Sequence, residues 1–298
     1  MSILNREGLV IIDAHAHLWE EQRGSVGGLP VYHTQNGISM FLGERRQMMP
    51  PYMEDGRNTA ERLIANMDYA GVNGAVLTQE YMDGCQDGYY LSVKERYPGR
   101  IKICSLYSER QDYSTEGFDG IKVCASRLKD PDLKRLLPLF CDAEQRGMFI
   151  SIDLADGDSQ TRDMEYLIER CPGLRIAIGH FGMVTTKNWQ AQIALAKNEN
   201  VYIESGGLTW LFNSEFYPFK GAVRAIREAI GICGAGKLMW GSDYPRTMTE
   251  ITYPMSIRFI LESDELDDHE KKDFLGENAA AFYGFSGLEP IEPIKNML

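Results

Sequence analysis

Short apolar, β-branched runs alternate with amphipathic stretches along nearly the whole chain, and this alternation restricts the possible folds more than any other feature. The amphipathic stretches have helical periodicity, and most are long enough for a right-handed crossover between parallel strands. The eight predicted strands are 9–18, 74–79, 101–107, 120–126, 148–154, 174–180, 201–207 and 238–243. Strands that alternate with helices in this way predict an α/β fold with a parallel sheet.

Eight strand and helix units in one chain favour a closed (β/α)8 TIM barrel over an open sheet. With 298 residues, 44% of them hydrophobic, the chain can bury a core of that size. An open nucleotide-binding sheet would carry a GxGxxG loop after its first strand, and the sequence has none there. No internal repeat or low-complexity linker divides the chain, so residues 1–298 are predicted to form a single domain.

Three segments depart from the regular pattern. The connection 108–120 is too polar and glycine-rich for a helix, so one crossover is expected to be irregular. The connection at about 19–57, after the first strand, is far longer than usual and predicts a lid-like loop over the active-site face. The segment at about 264–285 predicts a C-terminal helical tail.

The charge balance and the cysteines exclude several classes of protein. The chain has 31 basic and 43 acidic residues, a net charge of −12, and no dense basic stripe, which argues against nucleic-acid binding. No segment approaches the roughly 18 apolar residues of a membrane span, and Arg6 and Glu7 before a short apolar run do not fit a signal peptide. The six cysteines are scattered without a CxxC pair, which predicts reduced thiols in a cytoplasmic protein.

Two histidines stand at the end of the first strand, in the stretch VIIDAHAHLWE. Strict alternation places Asp13, His15 and His17 on one face of the strand, which in a barrel is the inner face near its carboxyl-terminal mouth. A pair of hydrogen-bonded core histidines is the alternative. Because several buried imidazoles all need polar partners, a functional site is favoured.

Two further strand ends supply partners for these histidines. His180 follows the sixth strand in AIGHFG, and Asp243 follows the eighth in WGSDYPR. In a closed barrel the eighth strand lies beside the first, so Asp243 and the two histidines are expected to converge. Taken alone, Asp243 is equally well explained as a helix N-cap. Since three of only five histidines end strands, the sequence favours a shared site.

The ordered segments DAHAHLW, GIKV, LRIAIGHFG, MWGSDYPR and ENAAAFYGF resemble the amidohydrolase superfamily. The resemblance is to the amidohydrolase-related (type 2) branch, which includes aminocarboxymuconate semialdehyde decarboxylase, benzoate-type decarboxylases and small-lactone hydrolases. It extends from about Val10 to Phe285.

The resemblance implies one divalent metal ion, Zn or Mn, at the barrel mouth. It assigns His15, His17 and Asp243 as ligands, with Asp243 also moving a proton, and His180 as a ligand or a group that polarises the substrate. Neutral imidazole and carboxylate groups suit either cation. A carboxylate beside a water molecule can take its proton, and a histidine can stabilise a developing oxyanion, so Asp243 and His180 are the predicted catalytic residues.

The fifth strand departs from the family pattern. Many members carry a histidine ligand there, whereas this chain has Asp153. Asp153 is a competent oxygen ligand that would favour Mn²⁺ over Zn²⁺. The alternative is a metal-free site, because some lactone hydrolases of this branch work without a metal, with the strand-one histidines orienting the substrate and the strand-eight aspartate acting as base.

Several side chains near the predicted mouth are candidates for contacts with a small, anionic substrate. The candidates are Arg45, Arg46, Lys122, Arg246, Tyr81 and Trp210. The cations would bind carboxylate or carbonyl oxygens, and the aromatics would form apolar walls. Solvated arginines, a lysine that extends outward past the helices and ordinary aromatic packing are the alternatives. The direction of Glu204 on the seventh strand is left open, because Ser205 competes for the inward position.

These observations favour a metal-dependent hydrolase that opens a small lactone, ester or related carboxylated substrate with an activated water. A non-oxidative decarboxylase is the second hypothesis, since it uses the same inner groups. A metal-independent lactonase and an inactive barrel that serves as a binding protein are the remaining ones. A homo-oligomer is possible, but exposed apolar patches cannot be read from the sequence.

Overall fold

Eight parallel strands form the centre of the structure, a computed structural model that describes residues 8–109, 113–291 and 294. In spatial order they are β1 (Ile12–Ala16), β6 (Gly74–Leu77), β7 (Ile101–Leu106), β8 (Gly120–Cys124), β9 (Phe149–Asp153), β10 (Arg175–Ile178), β11 (Val201–Glu204) and β12 (Leu238–Met239). The chain beyond β12 returns to β1, where Ala14 N donates to Trp240 O at 2.9 Å and His17 N to Tyr244 O at 2.8 Å. The strands therefore form a nearly closed barrel, and the predicted (β/α)8 fold is confirmed.

Helices follow most of the strands and cover the outside of the barrel. They are α1 (Ala60–Ala70), α2 (Asp87–Arg96), α3 (Leu137–Gln145), α4 (Thr161–Arg170), α5 (Gln190–Ala194), α6 (Leu208–Leu211), α7 (Lys220–Cys233), α8 (Met255–Leu261), α9 (Asp268–Lys272) and α10 (Asn278–Tyr283). The connection after β7 has no helix in residues 107–109 and 113–119, as expected, and its residues 110–112 lie outside the described part of the chain. Within the described residues, no helix has the length and apolarity needed to cross a bilayer.

The interior of the barrel is filled by a small apolar cluster that the C-terminal helix helps to close. Ile12, Val76, Met239 and Phe149 from the strands pack with aromatic residues of α10, and the rings of Phe149 and Tyr283 lie 4.8 Å apart. A separate and larger cluster joins the outer faces of the strands to the helices. The C-terminal tail thus contributes to the core, and polar residues are left to collect at the carboxyl ends of the strands.

The orientation of Asp13 differs from the predicted one, because β1 is irregular next to it. The pairing of β1 with β6 shifts register between Asp13 and Ala16, so the strict alternation of faces is broken there. Asp13 does not share the inner face with His15. Its carboxylate accepts hydrogen bonds from Ser242 N (2.8 Å), Ser242 Oγ (2.5 Å) and Tyr253 Oη (2.7 Å). Asp13 therefore anchors the loop after β12, which carries Asp243.

The long connection after β1 contains a sheet where a loop was predicted, and the role of residues 19–57 as a lid stays a prediction. Four antiparallel strands form it: β2 (Arg23–Val26), β3 (Leu29–Gln35), β4 (Ile38–Phe41) and β5 (Glu44–Gln47). Each turn between them has two residues with positive φ, for example Asn36 at +49° and Gly37 at +71°. Two such residues in succession make the hairpin turns that match strand twist, and Asn-Gly is their strongest sequence signal. We name residues 23–47 the inserted sheet.

Candidate active site

A cavity of about 260 Å³ opens at the carboxyl ends of the barrel strands. The residues that line it come from the loops after seven of the eight strands, and they include His17, Asp153, His180, Asp243 and Arg246. These side chains are far apart in the sequence, and the barrel brings them to one rim. The cavity therefore lies where barrel enzymes have their active sites.

The ring nitrogens of the two strand-one histidines point at each other. His15 Nδ1 donates to the Glu204 carboxylate at 2.7 Å, and His17 Nδ1 donates to the Thr78 carbonyl at 3.0 Å. With one proton on each ring, these bonds leave a lone pair on each Nε2; the two Nε2 atoms lie 3.0 Å apart, and His17 Nε2 is 3.1 Å from Asp243 Oδ1. Burial and the charge of nearby Arg246 lower the pKa of His17, so its ring is neutral at pH 7. Three lone pairs thus converge at one point.

The converging atoms fit a divalent cation. One ligand atom from each of His15, His17 and Asp243 lies within 4.8 Å of the others, and all three side chains are buried. Two imidazole nitrogens and one carboxylate oxygen are a donor set that suits Zn²⁺ or Mn²⁺. The Glu204 carboxylate behind His15 fixes the tautomer of that ring, as carboxylates do for metal-binding histidines. Glu204 therefore points inward, which the sequence left open.

His180 and Asp153 lie on the opposite wall and form a second group with His15. One ligand atom from each of these three residues lies within 4.8 Å of the others. His180 Nδ1 donates to Gly206 O at 2.9 Å, so Nε2 is the atom that faces Asp153 Oδ2, at 3.5 Å. Burial alone would lower the pKa of His180, but the Asp153 carboxylate outweighs it and raises the pKa to about 10. His180 is therefore a proton donor in this arrangement.

Lys122 points into the barrel beneath the cavity and does not extend outward past the helices. Its side chain is fully buried, and Nζ donates to Asp153 Oδ1 at 2.6 Å. Burial would raise the pKa of Asp153, but the Lys122 ammonium holds it well below 3.8. One carboxylate oxygen of Asp153 is thus used by Lys122, while Oδ2 has no hydrogen-bond partner and faces His180.

Asp243 is not a helix N-cap, because its side chain turns away from the following backbone. Oδ1 faces His17, and Oδ2 accepts a hydrogen bond from Trp210 Nε1 at 3.1 Å. Both Asp243 and His180 have positive φ, +57° and +55°, a conformation that is rare for residues other than glycine and common at functional sites. Burial would raise the pKa of Asp243, but the positive charges of Arg246 and His180 lower it well below its ordinary value. Asp243 is a carboxylate at neutral pH.

Arg246 forms part of the cavity wall and has unused donors. Its Nη2 donates to the Asp83 carboxylate, and Nη1 lies 3.6 Å from Asp243 Oδ1. The buried Nε and Nη1 atoms have no hydrogen-bond partner. A guanidinium in this position can bind an anionic group in the cavity.

Two acidic residues of the site were missed by the sequence analysis. Glu80 and Asp83 lie in the loop after β6; Glu80 lines the cavity, and its buried Oε2 has no hydrogen-bond partner. Burial, and to a lesser degree Asp153, raises the pKa of Glu80. The available signal was their place in TQEYMD, just beyond the end of a strand.

Four of the six predicted substrate contacts do not line this cavity: Lys122 lies beneath it, and the other three lie elsewhere. Arg45 and Arg46 lie on β5, the outermost strand of the inserted sheet, where both are exposed and Arg46 pairs with Glu44 at 3.0 Å. Tyr81 lines a neighbouring cavity of about 620 Å³ and donates to Tyr107 O at 2.7 Å. Trp210, in contrast, lines the site itself.

Gly179, directly after β10, allows the carboxylates of Asp153 and Glu204 to approach the backbone closely. A Cβ atom there would lie 2.1 Å from Asp153 Oδ1 and 2.7 Å from Glu204 Oε1. We expect Gly179→Ala to lower the free energy of unfolding by about 1–3 kcal/mol, the usual cost of overpacking, as measured by urea denaturation. The control Gly231→Ala, in helix α7 with nothing within 4 Å of the added Cβ, should stabilise by about 0.5–1 kcal/mol. Equal behaviour of the two variants would contradict the packing argument.

Comparison with known proteins identifies a family and several structural neighbours. The sequence model of the amidohydrolase family matches residues 12–285. A search of curated proteins found no significant relative. A probable 2-pyrone-4,6-dicarboxylic acid hydrolase from Acinetobacter baumannii, crystallised with citric acid bound, is 21% identical, with a TM-score of 0.66 over 92% of this chain and 99% of that chain.

Two other neighbours were crystallised with metal ions. An amidohydrolase from Burkholderia multivorans with bound zinc is 15% identical, with a TM-score of 0.66 over 93% of this chain and all of that chain (100%). A 5-carboxyvanillate decarboxylase from Novosphingobium aromaticivorans, complexed with manganese and a nitrobenzoic acid, is 17% identical, with a TM-score of 0.55 over 76% and 80% of the two chains. At these identities the neighbours support the fold.

Proposed function

The chain belongs to the amidohydrolase family, a family of enzymes, and on that premise we propose that it is a metal-dependent hydrolase of a small lactone, ester or related carboxylated compound. The observation that carries the proposal is the convergence of His15, His17 and Asp243: the two Nε2 atoms lie 3.0 Å apart, His17 Nε2 lies 3.1 Å from Asp243 Oδ1, and one ligand atom from each side chain lies within 4.8 Å of the others. Lone pairs that face one another repel unless a cation lies between them.

His15, His17 and Asp243 would hold one cation, Zn²⁺ or Mn²⁺, with Asp153 as a further candidate ligand on the opposite wall. Of the two roles that the resemblance offers for His180, ligand or polarising group, we assign the second, because its Nε2 carries a proton. A divalent cation there supplies a Lewis acid toward an oxygen of the substrate or of water. Two structural neighbours were crystallised with zinc and with manganese, and these are the cations to test here.

The protein side chains would supply the proton transfers. Asp243 accepts a hydrogen bond from Trp210 and lies near the cations Arg246 and His180, which favour its carboxylate form, so it can take a proton from the attacking water and return it to the leaving oxygen. The Nε2 of His180 faces the cavity and can donate a hydrogen bond to the oxyanion that develops on the carbonyl.

We propose an anionic substrate because Arg246 has buried donors without partners. Four carboxylates line the cavity, those of Glu80, Asp153, Asp156 and Asp243, against the two arginines Arg127 and Arg246. His180, whose pKa is raised to about 10, offsets part of this negative charge, and a bound cation would offset more of it. Binding of cation and substrate should therefore be mutually favourable. The hydrolase-like neighbour crystallised with citric acid gives a parallel in another protein.

Metal removal tests the proposal. Chelator treatment is expected to lower kcat/KM for lactone hydrolysis by about 100-fold or more, and Zn²⁺ or Mn²⁺ should restore it. The loss of a single hydrogen-bond partner of a metal ligand already costs about 10–100-fold in metal affinity or activity, so loss of the metal itself should cost at least as much. Metal content should fall in His17→Ala and stay unchanged in His269→Ala, a control at a histidine whose side chain is 81% exposed. Full activity of metal-free protein would indicate a metal-independent lactonase, and tight substrate binding without turnover would indicate an inactive barrel.

A decarboxylase is the second candidate, and Glu80 is the observation in its favour. Its carboxyl group is buried in the same cavity, and burial raises its pKa, so it can carry a proton for delivery to carbon. Reaction in ¹⁸O-labelled water separates the two functions. Hydrolysis introduces one labelled oxygen into the organic product, whereas decarboxylation releases CO₂ and leaves that product unlabelled.

The cytoplasmic location predicted from the sequence remains part of this proposal. Its support is that the six cysteines are scattered along the sequence without a CxxC pair, a pattern typical of proteins in a reducing compartment.

A further inference from the structure

We propose that the inserted sheet fixes the position of Arg246 through a buried chain of hydrogen bonds and thereby makes the enzyme selective for substrates that carry a carboxylate. This inference rests on the function proposed above and names its substrate class. Asp83, Gln22 and Ser39 are the positioning residues.

The chain of hydrogen bonds runs from the inserted sheet to the cavity. Ser39 Oγ, on β4, donates to Gln22 Oε1 at 2.5 Å, and Gln22 Nε2 donates to Asp83 Oδ1 at 3.1 Å. The second carboxylate oxygen of Asp83 accepts the bond from Arg246 Nη2. Ser39, Gln22 and Asp83 are 0%, 1% and 2% exposed, so water does not compete with these bonds.

The backbone of the inserted sheet also lies directly against the loop that carries Asp83. Arg23 N donates to Asp83 O at 3.3 Å, and Ser25 N donates to Tyr81 O at 2.9 Å. A Cβ at Gly24 would lie 2.2 Å from Tyr81 O, so the two backbones are in contact. The sheet and the loop therefore have little freedom to move separately.

Arg246 is held on one side and left open on the other. Asp83 fixes Nη2, and the guanidinium carbon lies 5.7 Å from the ring centre of Trp19. Nη1 has no hydrogen-bond partner, and the residue lines the cavity. A guanidinium fixed in this way binds a carboxylate with a smaller loss of side-chain freedom than a mobile one.

The stability of the fold does not by itself account for this arrangement. Replacing a buried ion pair with well-packed apolar residues is often neutral or stabilising. In addition, no described residue of 19–57 lines the site cavity, and the buried bonds from Ser39 through Gln22 and Asp83 connect the inserted sheet to Arg246, which does. A role in positioning explains both observations.

The test compares two compounds that differ only in charge, 5-oxotetrahydrofuran-2-carboxylate and the matching carboxamide. Binding is measured by calorimetry and hydrolysis by steady-state kinetics on the metal-loaded protein. The native protein should bind the carboxylate at least about ten-fold more tightly than the amide, as expected for a charge-assisted hydrogen bond. Asp83→Asn should remove this preference through KM, with kcat changed less than about three-fold.

Two further variants guard against a purely structural effect. Ser39→Ala should reduce the preference in the same direction by a smaller factor, and it covers the case in which Asp83→Asn fails to fold. Asp119→Asn, an aspartate paired with Lys94 at 3.0 Å near the start of β8, should leave the preference unchanged. A parallel fall in the binding of both compounds would show a structural role and overturn the inference.

The outcomes separate this inference from the proposed function. Hydrolysis of both compounds without preference would leave the hydrolase standing and overturn the inference. Binding of the carboxylate that depends on Asp83, without hydrolysis of either compound, would support the inference and count against the hydrolase. Binding of neither compound would overturn the inference.

Discussion

The Asp243→Asn variant is expected to lose about 10³-fold in kcat for hydrolysis while it remains folded. The amide has the size of the carboxylate, so it can still accept the hydrogen bond from Trp210 Nε1, which lies 3.1 Å from the carboxylate in the native protein. It cannot take a proton from water at neutral pH. Since His17, Trp210 and the loop after β12 keep their places, the loss should fall on proton transfer.

Metal analysis must accompany this measurement, because Asp243 is also a proposed ligand. Kinetics should therefore be compared at saturating Zn²⁺ or Mn²⁺, with metal content and thermal unfolding measured on the same sample. The matched control is Asp163→Asn on the outer helical layer, where the carboxylate accepts a hydrogen bond from Leu133 N at 3.1 Å; its activity should stay within about two-fold of the native value. More than a tenth of native activity in a fully loaded Asp243→Asn protein would exclude Asp243 as the base.

The barrel and the convergence of the site could be predicted because both follow from repeated local patterns. Strands buried on both faces form continuous apolar runs, and eight such runs separated by amphipathic segments leave few alternatives. A polar residue that interrupts such a run at its carboxyl end must lie at the rim. Closure of the barrel then brings Asp243 beside His15 and His17, and the structure places them as expected.

The orientation of individual side chains was harder to predict, because one extra residue reverses the faces of a strand. The bulge between Asp13 and Ala16 is a tertiary feature, and the alternation of DAHAH gave no sign of it. For the same reason, Glu204 and Ser205 could not be told apart as the inward residue. The bond from His15 Nδ1 to Glu204 at 2.7 Å resolves the question.

The inserted sheet was missed although a local signal was present. QNGI contains the Asn-Gly pair of a tight hairpin, but the prediction relied on helix and strand periodicity and gave a loop for this segment. A loop over the active-site face would have placed Arg45 and Arg46 near the substrate. Glu80 and Asp83 were missed for a different reason. They lie beyond the end of β6, where periodicity carries no information and only the tertiary structure shows what a side chain faces.

Lys122→Met is expected to lower the free energy of unfolding by about 3–5 kcal/mol, the largest effect on stability that we predict. Lys122 is fully buried, and its ammonium lies 2.6 Å from Asp153 Oδ1. Methionine fits the space of the lysine chain but leaves the Asp153 carboxylate without its cation. Urea denaturation at pH 7 measures the loss. The control Lys94→Met, at a partly exposed pair 3.0 Å from Asp119, should cost less than about 1 kcal/mol.

A second substitution distinguishes the loss of the ion pair from the loss of packing. The double variant Lys122→Met with Asp153→Leu removes the unpaired carboxylate, and His180, which loses the partner that raised its pKa, can become neutral. Most of the stability should therefore return, within about 1–2 kcal/mol of the native value. If the double variant is less stable than Lys122→Met alone, packing and not the unpaired carboxylate causes the loss.

The pH dependence of Lys122→Met, measured on chelator-treated protein, provides an independent check with a definite sign. In the native protein Lys122 holds the pKa of Asp153 well below 3.8, so the stability from this pair is present above pH 3.8 and is lost only as the pH falls through the lowered pKa. Without Lys122, burial is opposed mainly by His180, so the pKa of Asp153 rises, and protonation at lower pH then favours the folded variant. The difference in stability between the native protein and the variant should therefore be largest near pH 7 and shrink toward pH 4. A difference that stays constant over this range would mean that Asp153 is not left as an unpaired charge, and the account of Lys122 as its buried counter-ion would be wrong.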